Sequence, residues 1–210
     1  MKIGILGSGA VGQALATGLT AAGHEVRIGS REAGKLAGFA KAQGIAHGTF
    51  DEVARFAEVA VICVKGDAAE PLARQLAQAL AGKVVLDTTN PISGPPVNGV
   101  LPYFTGPNES LLERIQRAAP QAKVVKWMNS VGAALMARPK LAGGRPAMFI
   151  CGDDAGAREV AARLSAELGW QAEDVGPAAM GHPLEALCQI WCAPGFLRNE
   201  WAHAFALLRP

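Results

Sequence analysis

Strong charge of either sign is missing from this sequence. Lys and Arg number 20 against 18 Asp and Glu, a formal net charge of +2 over 210 residues. That is too small to suggest nucleic acid or an anionic membrane as the main partner. Long apolar runs are missing too: none approaches the roughly 18–20 residues that cross a bilayer. Met1 runs directly into a strand-like segment, with no basic region, apolar stretch and cleavage site of a leader. Cysteine is sparse, and Cys63, Cys151, Cys188 and Cys192 contain no Cys-x-x-Cys pair. A secreted disulfide scaffold is thereby disfavoured, and a cytoplasmic protein with reduced thiols is expected. There is no H-E-x-x-H and no Ser–His–Asp signature, and His24, His47, His182 and His203 are scattered. Cys188 and Cys192, with His182 upstream, have helical spacing but no fourth ligand, so no metal site is expected.

What is present is apolar and regular. Half of the residues are hydrophobic and 18% are charged, the balance of a compact globular chain. Short β-rich runs alternate with alanine-rich helical stretches, the pattern of a parallel sheet covered by helices. Strands are expected at Lys2–Leu6, Glu25–Gly29, Glu58–Val64, Lys83–Asp87, Lys123–Met128, Ala147–Cys151 and Gln171–Val175, with a weaker one at Ile45–His47. Helices are expected at Ala10–Ala22, Glu32–Gln43, Ala69–Leu80, Glu109–Ala118, Gly132–Ala137 and Asp154–Leu168. Runs such as "VAVICV" lack polar alternation, as in a sheet buried on both faces. The expected fold is therefore α/β, a Rossmann-type doubly wound sheet over residues 1–175. A helical extension over 176–210 follows, broken at Pro194-Gly195, with a last helix from Phe196.

The first strand runs into Gly7-Ser8-Gly9-Ala10-Val11-Gly12, a G-x-G-x-x-G spacing that opens a helix. Between a strand and a helix this is the dinucleotide fingerprint. Gly7 permits the tight turn, Gly9 lets backbone approach the pyrophosphate, and Gly12 lets the helix pack on the strand. The free N–H groups at the helix start then meet the anion. Proteins that prefer NAD place Asp or Glu about 20 residues further on, against the ribose hydroxyls. Here that strand ends "VRIGSRE", with Gly29 and Ser30 at the acidic position and Arg31 after them. A carboxylate would repel a 2′-phosphate, whereas Ser30, Arg31 and Lys35 suit one. The expected cofactor is NADP(H).

In an open parallel sheet the ligand crosses the carboxyl ends of the strands. That rule selects Val64 and Lys65 after one strand, Asn90 and Pro91 after another, and Asn129 and Ser130 after a third. Asn90, Pro91, Asn129 and Ser130 are the acceptor-pocket candidates, with Asn90 also placed against the cofactor, although Asn before Pro is equally a turn former. No residue stands out as a catalytic acid or base. The proline-rich stretch Asn90–Asn108 is a long loop of the kind that is usually functional.

The segments "GSGAVGQAL", "GSRE", "DTTNP", "VVKWMNSVGA", "ICGDD" and "DVGP" resemble, in order, the NADP-dependent oxidoreductases that use an 8-hydroxy-5-deazaflavin coenzyme. They are also similar to the cytosolic domain of the six-transmembrane metalloreductases. The tail "LCQIWCAPGFLRNEWAHAF" looks most like the short bacterial members. The resemblance implies hydride transfer between NADPH and a deazaflavin, flavin or related small acceptor, which needs orientation more than a proton donor. Asn129 stands where the archaeal deazaflavin enzymes carry histidine, and the metalloreductase domains also have Asn there. Two rival readings share the cofactor site. One is an imine or hydroxyacid NADP dehydrogenase, for which the roughly 35 residues after Gly176 are too few to build the usual helical domain. The other is a non-catalytic NADPH sensor. Trp191, Phe196, Leu197, Trp201, Phe205 and Leu208 in the tail serve either its own core or a homodimer.

Overall fold

The computed structural model describes residues 1–210. Six strands form one parallel sheet: β1 (Lys2–Leu6), β2 (Glu25–Ser30), β3 (Ala46–Thr49), β4 (Val59–Ile62), β5 (Val84–Asp87) and β6 (Lys123–Lys126), in the order β3-β2-β1-β4-β5-β6. The order reverses at β1, so a crevice opens above the carboxyl ends of β1 and β4, where doubly wound sheets bind ligands. Consecutive residues of these strands face opposite cores. Ile3 and Ile5, Val59 and Val61, and Val125 join one buried cluster. Leu6, Ala60, Ile62 and Val124 join the other. Both faces are covered, which is why the strands read as unbroken apolar runs.

The first face is covered by α1 (Ala10–Ala21) and α7 (Ala155–Glu167), and the second by α3 (Phe50–Phe56), α4 (Gly66–Gln75), α5 (Ala77–Leu80) and α6 (Leu111–Ala118). A shorter helix, α2 (Ala37–Gln43), leads into β3. Beyond β6, β7 (Ala147–Ile150) and β8 (Gln171–Asp174) pair in parallel as a second small sheet. It is joined to the main one where Lys126 bridges Cys151. The long helix α8 (Gly181–Arg198) closes the fold.

Several elements differ from the sequence expectation. The helix expected at Glu32–Gln43 is a 3-10 turn over Ala33–Leu36 followed by α2, and the one at Gly132–Ala137 shrinks to a 3-10 turn over Ala133–Leu135. The helix expected over Ala69–Leu80 starts earlier and divides into α4 and α5. No helix was expected at α3. It is fixed by a reciprocal capping box, with the Thr49 hydroxyl accepting from Glu52 N and the Glu52 carboxylate accepting from Thr49 N.

The tail corrects the expectation of a break at Pro194-Gly195 and a new helix from Phe196. The helix α8 continues through Pro194 to Arg198, and Asn199 stops it in the left-handed conformation at φ 57°. Pro194 removes the backbone donor that would reach Ile190 O, so the helix continues at the loss of one hydrogen bond. Gly195 is required because Trp201 folds back onto it: a Cβ there would lie 2.4 Å from the indole. Residues 199–210 then run without a helix. They are pinned by Ala147 N donating to Phe205 O, by Trp191 Nε1 donating to His203 O, and by Arg209 on Glu173.

Candidate functional site

The turn after β1 is built by close approach. Gly7 sits at φ +151°, and a Cβ there would meet Cys63 O at 2.2 Å; one on Gly12 would meet Gly7 O at 2.1 Å. Any side chain at either position would push β1, β4 and α1 apart. Gly9 differs, because a Cβ would find nothing within 4 Å. Packing does not require glycine at 9; the open space beside it suits an approaching ligand. Above it, α1 begins with no side-chain cap and no acidic residue in its first turn, whereas α3, α6 and α7 are all capped by their own side chains. The first N–H groups of α1 and the positive end of its dipole are thus left facing the crevice.

Gly7, Ser8, Gly9, Ala10 and Val11 line a cleft of ≈ 710 Å³, together with Arg31, Val64 and Lys65. The structure therefore gathers eight of the expected cofactor residues into one site. Ser30 lies at the end of β2, buried, with its hydroxyl donated to Glu32 O at 2.6 Å. Its proton is committed, and a 2′-phosphate, itself an acceptor, would have to compete for it. Lys35 is turned to Glu32 in an exposed ion pair at 2.9 Å. That pairing is the chief reason the Glu32 carboxyl titrates below its usual range. Glu32 thus serves Lys35 on a 3-10 turn rather than an α-helix dipole. Arg31 makes no ion pair and faces the cleft together with Lys65.

Asn90, Pro91, Asn129 and Ser130 form a separate group, outside the cleft lining. Asn90 Nδ2 donates to Asn129 O at 2.8 Å, and Asn129 Nδ2 donates to Asn90 Oδ1 at 3.1 Å and to Leu184 O at 2.8 Å. Pro91 and Ser130 are buried beside them. The two carboxamides, 39 residues apart in sequence, are locked to each other. The proline-rich loop folds as a narrow arm, with Ile92 bridging Tyr103 and Val97 bridging Val100.

Sequence reasoning missed several residues. Phe50, from the unexpected α3, lines the cleft, as do Cys63, Pro71 and Gln75; the Thr-x-x-Glu spacing at Thr49–Glu52 was the available clue. Cys63 is no nucleophile there, since burial pushes its thiol up to about 12. Also unforeseen is a buried cluster of Lys126, Asp87 and Glu185. A lysine and an aspartate inside apolar strands, in "VVKW" and "VVLD", were its signature, because buried charges are paired.

Residues 2–91 match the family described as NADP oxidoreductase, coenzyme F420-dependent. A crystal structure from Arthrobacter sp. FB24, provisionally described as an F420-dependent NADP-reductase, is 32% identical, covers 100% of both chains and superposes with a TM-score of 0.90. The chain belongs to this family. As a member of the F420-dependent NADP oxidoreductases it is an NADP-dependent oxidoreductase. Rat metalloreductase STEAP3 is 32% identical over 202 residues, 93% of this chain but 39% of its own length. A hypothetical protein from Sinorhizobium meliloti is 28% identical with a TM-score of 0.75, covering 86% of this chain and 88% of its own. An imine reductase from Streptomyces aurantiacus shares the fold at 15% identity and a TM-score of 0.69, this chain covering 62% of it. No helix of this chain is long and apolar enough to cross a membrane.

Proposed function

We propose that this protein uses NADPH to reduce a deazaflavin, a flavin or a related flat acceptor. The observation that carries the reading is Arg31, unpaired by any acid and lining the same cleft as Gly7–Val11. The turn and the open end of α1 would hold the pyrophosphate, and Arg31 the 2′-phosphate, with Ser30 and Lys35 as secondary partners. Val64 and Lys65 would guide the cofactor toward the carboxyl ends of β4 and β5. Asn90, Pro91, Asn129 and Ser130 would line the acceptor side. NADPH supplies the hydride; the chain binds and orients the two partners. The reading includes a cytoplasmic setting, consistent with four free cysteines. It also includes the division at residue 175 between the nucleotide-binding part and the tail. A homodimer through α8 and the segment after it belongs to it as well, because Ile190, Leu197 and Trp201 remain exposed; light scattering of the full chain reads this directly.

The test is stopped-flow oxidation of NADPH against a panel of deazaflavin, FMN and riboflavin, with Arg31→Ala beside the wild type. Turnover with at least one ring is expected. Arg31→Ala is expected to weaken NADPH about 10- to 100-fold and NADH hardly at all, the worth of a charge-assisted hydrogen bond. Tight NADPH binding with no ring reduced would instead favour the sensor.

A further inference from the structure

Charged groups meet in the core between β5, β6, α6 and α8. Lys126 Nζ donates to Asp87 Oδ2 at 2.6 Å and to Thr89 O at 2.9 Å, and pairs with Glu185 Oε1 at 2.7 Å. The Lys126 and Asp87 side chains are 0% exposed and Glu185 is 1%. Burial pushes the lysine ammonium down, but the two carboxylates outweigh it and hold it above its ordinary range. Glu185 also accepts from Leu111 N at 3.0 Å and Leu112 N at 3.1 Å. The excess negative charge thus meets the positive end of α6. Such a cluster is costly to desolvate, and apolar residues of similar volume often stabilise a core equally well. Stability alone is therefore a weak reason for its presence.

Its attachments give a better one. Thr89 is gripped three times: its O by Lys126, and its N and Oγ1 by Asp87 Oδ1 at 2.9 and 2.7 Å. Asn90 is the next residue. On the other side, Leu184 O, adjacent to Glu185, accepts from Asn129 Nδ2 at 2.8 Å. Glu185 O accepts from the Tyr103 hydroxyl of the proline-rich arm at 2.7 Å. Both ends of the Asn90–Asn129 pair are therefore moored to one cluster, Asn90 through Thr89 and Asn129 through α8.

We propose that Lys126, Asp87 and Glu185 are positioning residues that fix the Asn90–Asn129 amide pair, and through it recognition of the hydride acceptor but not of NADPH. The proposal rests on the reading of that pair as the acceptor side. Its test is a double-mutant cycle of Glu185→Gln and Asn129→Ala, with Thr89→Val as an isosteric variant that removes one of the three holds on the Asn90 end should Glu185→Gln fail to fold. Glu185→Gln and Asn129→Ala are each expected to raise the acceptor KM about tenfold, and the double variant about tenfold rather than a hundredfold, because coupled residues do not add. Thr89→Val is expected to raise it severalfold, and NADPH affinity to stay within about twofold in every variant. An additive cycle, an unchanged acceptor KM, or an equal loss of NADPH affinity overturns the proposal. The side-chain amide resonances of Asn90 and Asn129 in isotope-labelled protein give a readout without turnover. They are expected to move in Glu185→Gln or Thr89→Val. If they stay fixed the proposal fails, even where the wild type reduces acceptors; if they move while no ring is reduced, only the assigned function fails.

Discussion

At the scale of single residues, the three glycines of the turn separate into two kinds. Gly7 and Gly12 are demanded by the protein itself, since a Cβ on either would collide with backbone at 2.2 and 2.1 Å. Gly9 is demanded by nothing within 4 Å, so any constraint on it comes from the ligand. Gly12→Ala is therefore expected to lower thermal stability sharply. Gly9→Ala is expected to cost only about 2–4 °C, from a poorer helix start, while weakening NADPH binding at least tenfold. Thermal melts with and without NADPH measure both effects; equal losses of stability in the two variants would contradict the distinction. The spacing of the motif was visible in the sequence, but this division of labour was not. It depends on Cys63, which lies 56 residues beyond Gly7 in the chain and is brought under it by the pairing of β1 with β4.

At the scale of elements, α3 shows a short helix held by its ends. It spans Phe50–Phe56, too short to be stable alone, and its start is tied by the Thr49–Glu52 box. Thr49→Ala is expected to cost about 1 kcal/mol, near 2–4 °C in melting temperature. It should also weaken NADPH modestly, because Phe50 borders the cleft. A variant that melts lower but binds NADPH unchanged would detach α3 from the site. The strands and the larger helices α1, α6 and α7 were legible because both buried faces leave an apolar pattern. The proline-rich arm and the course of α8 were not. Pro194-Gly195 reads as a helix stop, yet the deciding contact is Trp201 packing on Gly195.

At the scale of the whole molecule, the tail closes the chain onto the small sheet. Arg209 reaches Glu173 through two hydrogen bonds, and chiefly for that reason the Glu173 carboxyl titrates below its ordinary value. A depressed folded pKa means the contact is fully present above the unfolded value, near 4.3 for Glu. It is lost only as pH falls through the lower, folded one. Hydrogen exchange at the Ala147 N–H, which donates to Phe205 O of the tail, corrected for intrinsic rates, is therefore expected to stay protected at pH 7 and pH 5 and to loosen in stronger acid. Glu173→Gln should remove that step. Loosening already between pH 7 and pH 5 would show that another group controls the tail.

By itself the sequence determined the class of fold, the position of the dinucleotide turn and the absence of an acid at Ser30. These are written locally, in periodicity and in motifs of six or fewer residues. Only folding brought Arg31 and Lys65 together on the lining of the cleft, with Ser30 and Lys35 each engaged by Glu32. It alone joined Asn90 to Asn129 and moored both to Lys126 and Glu185. Those contacts span 39 to 59 residues of chain, and a buried charge acquires its partner only when the sheet and α8 close around it.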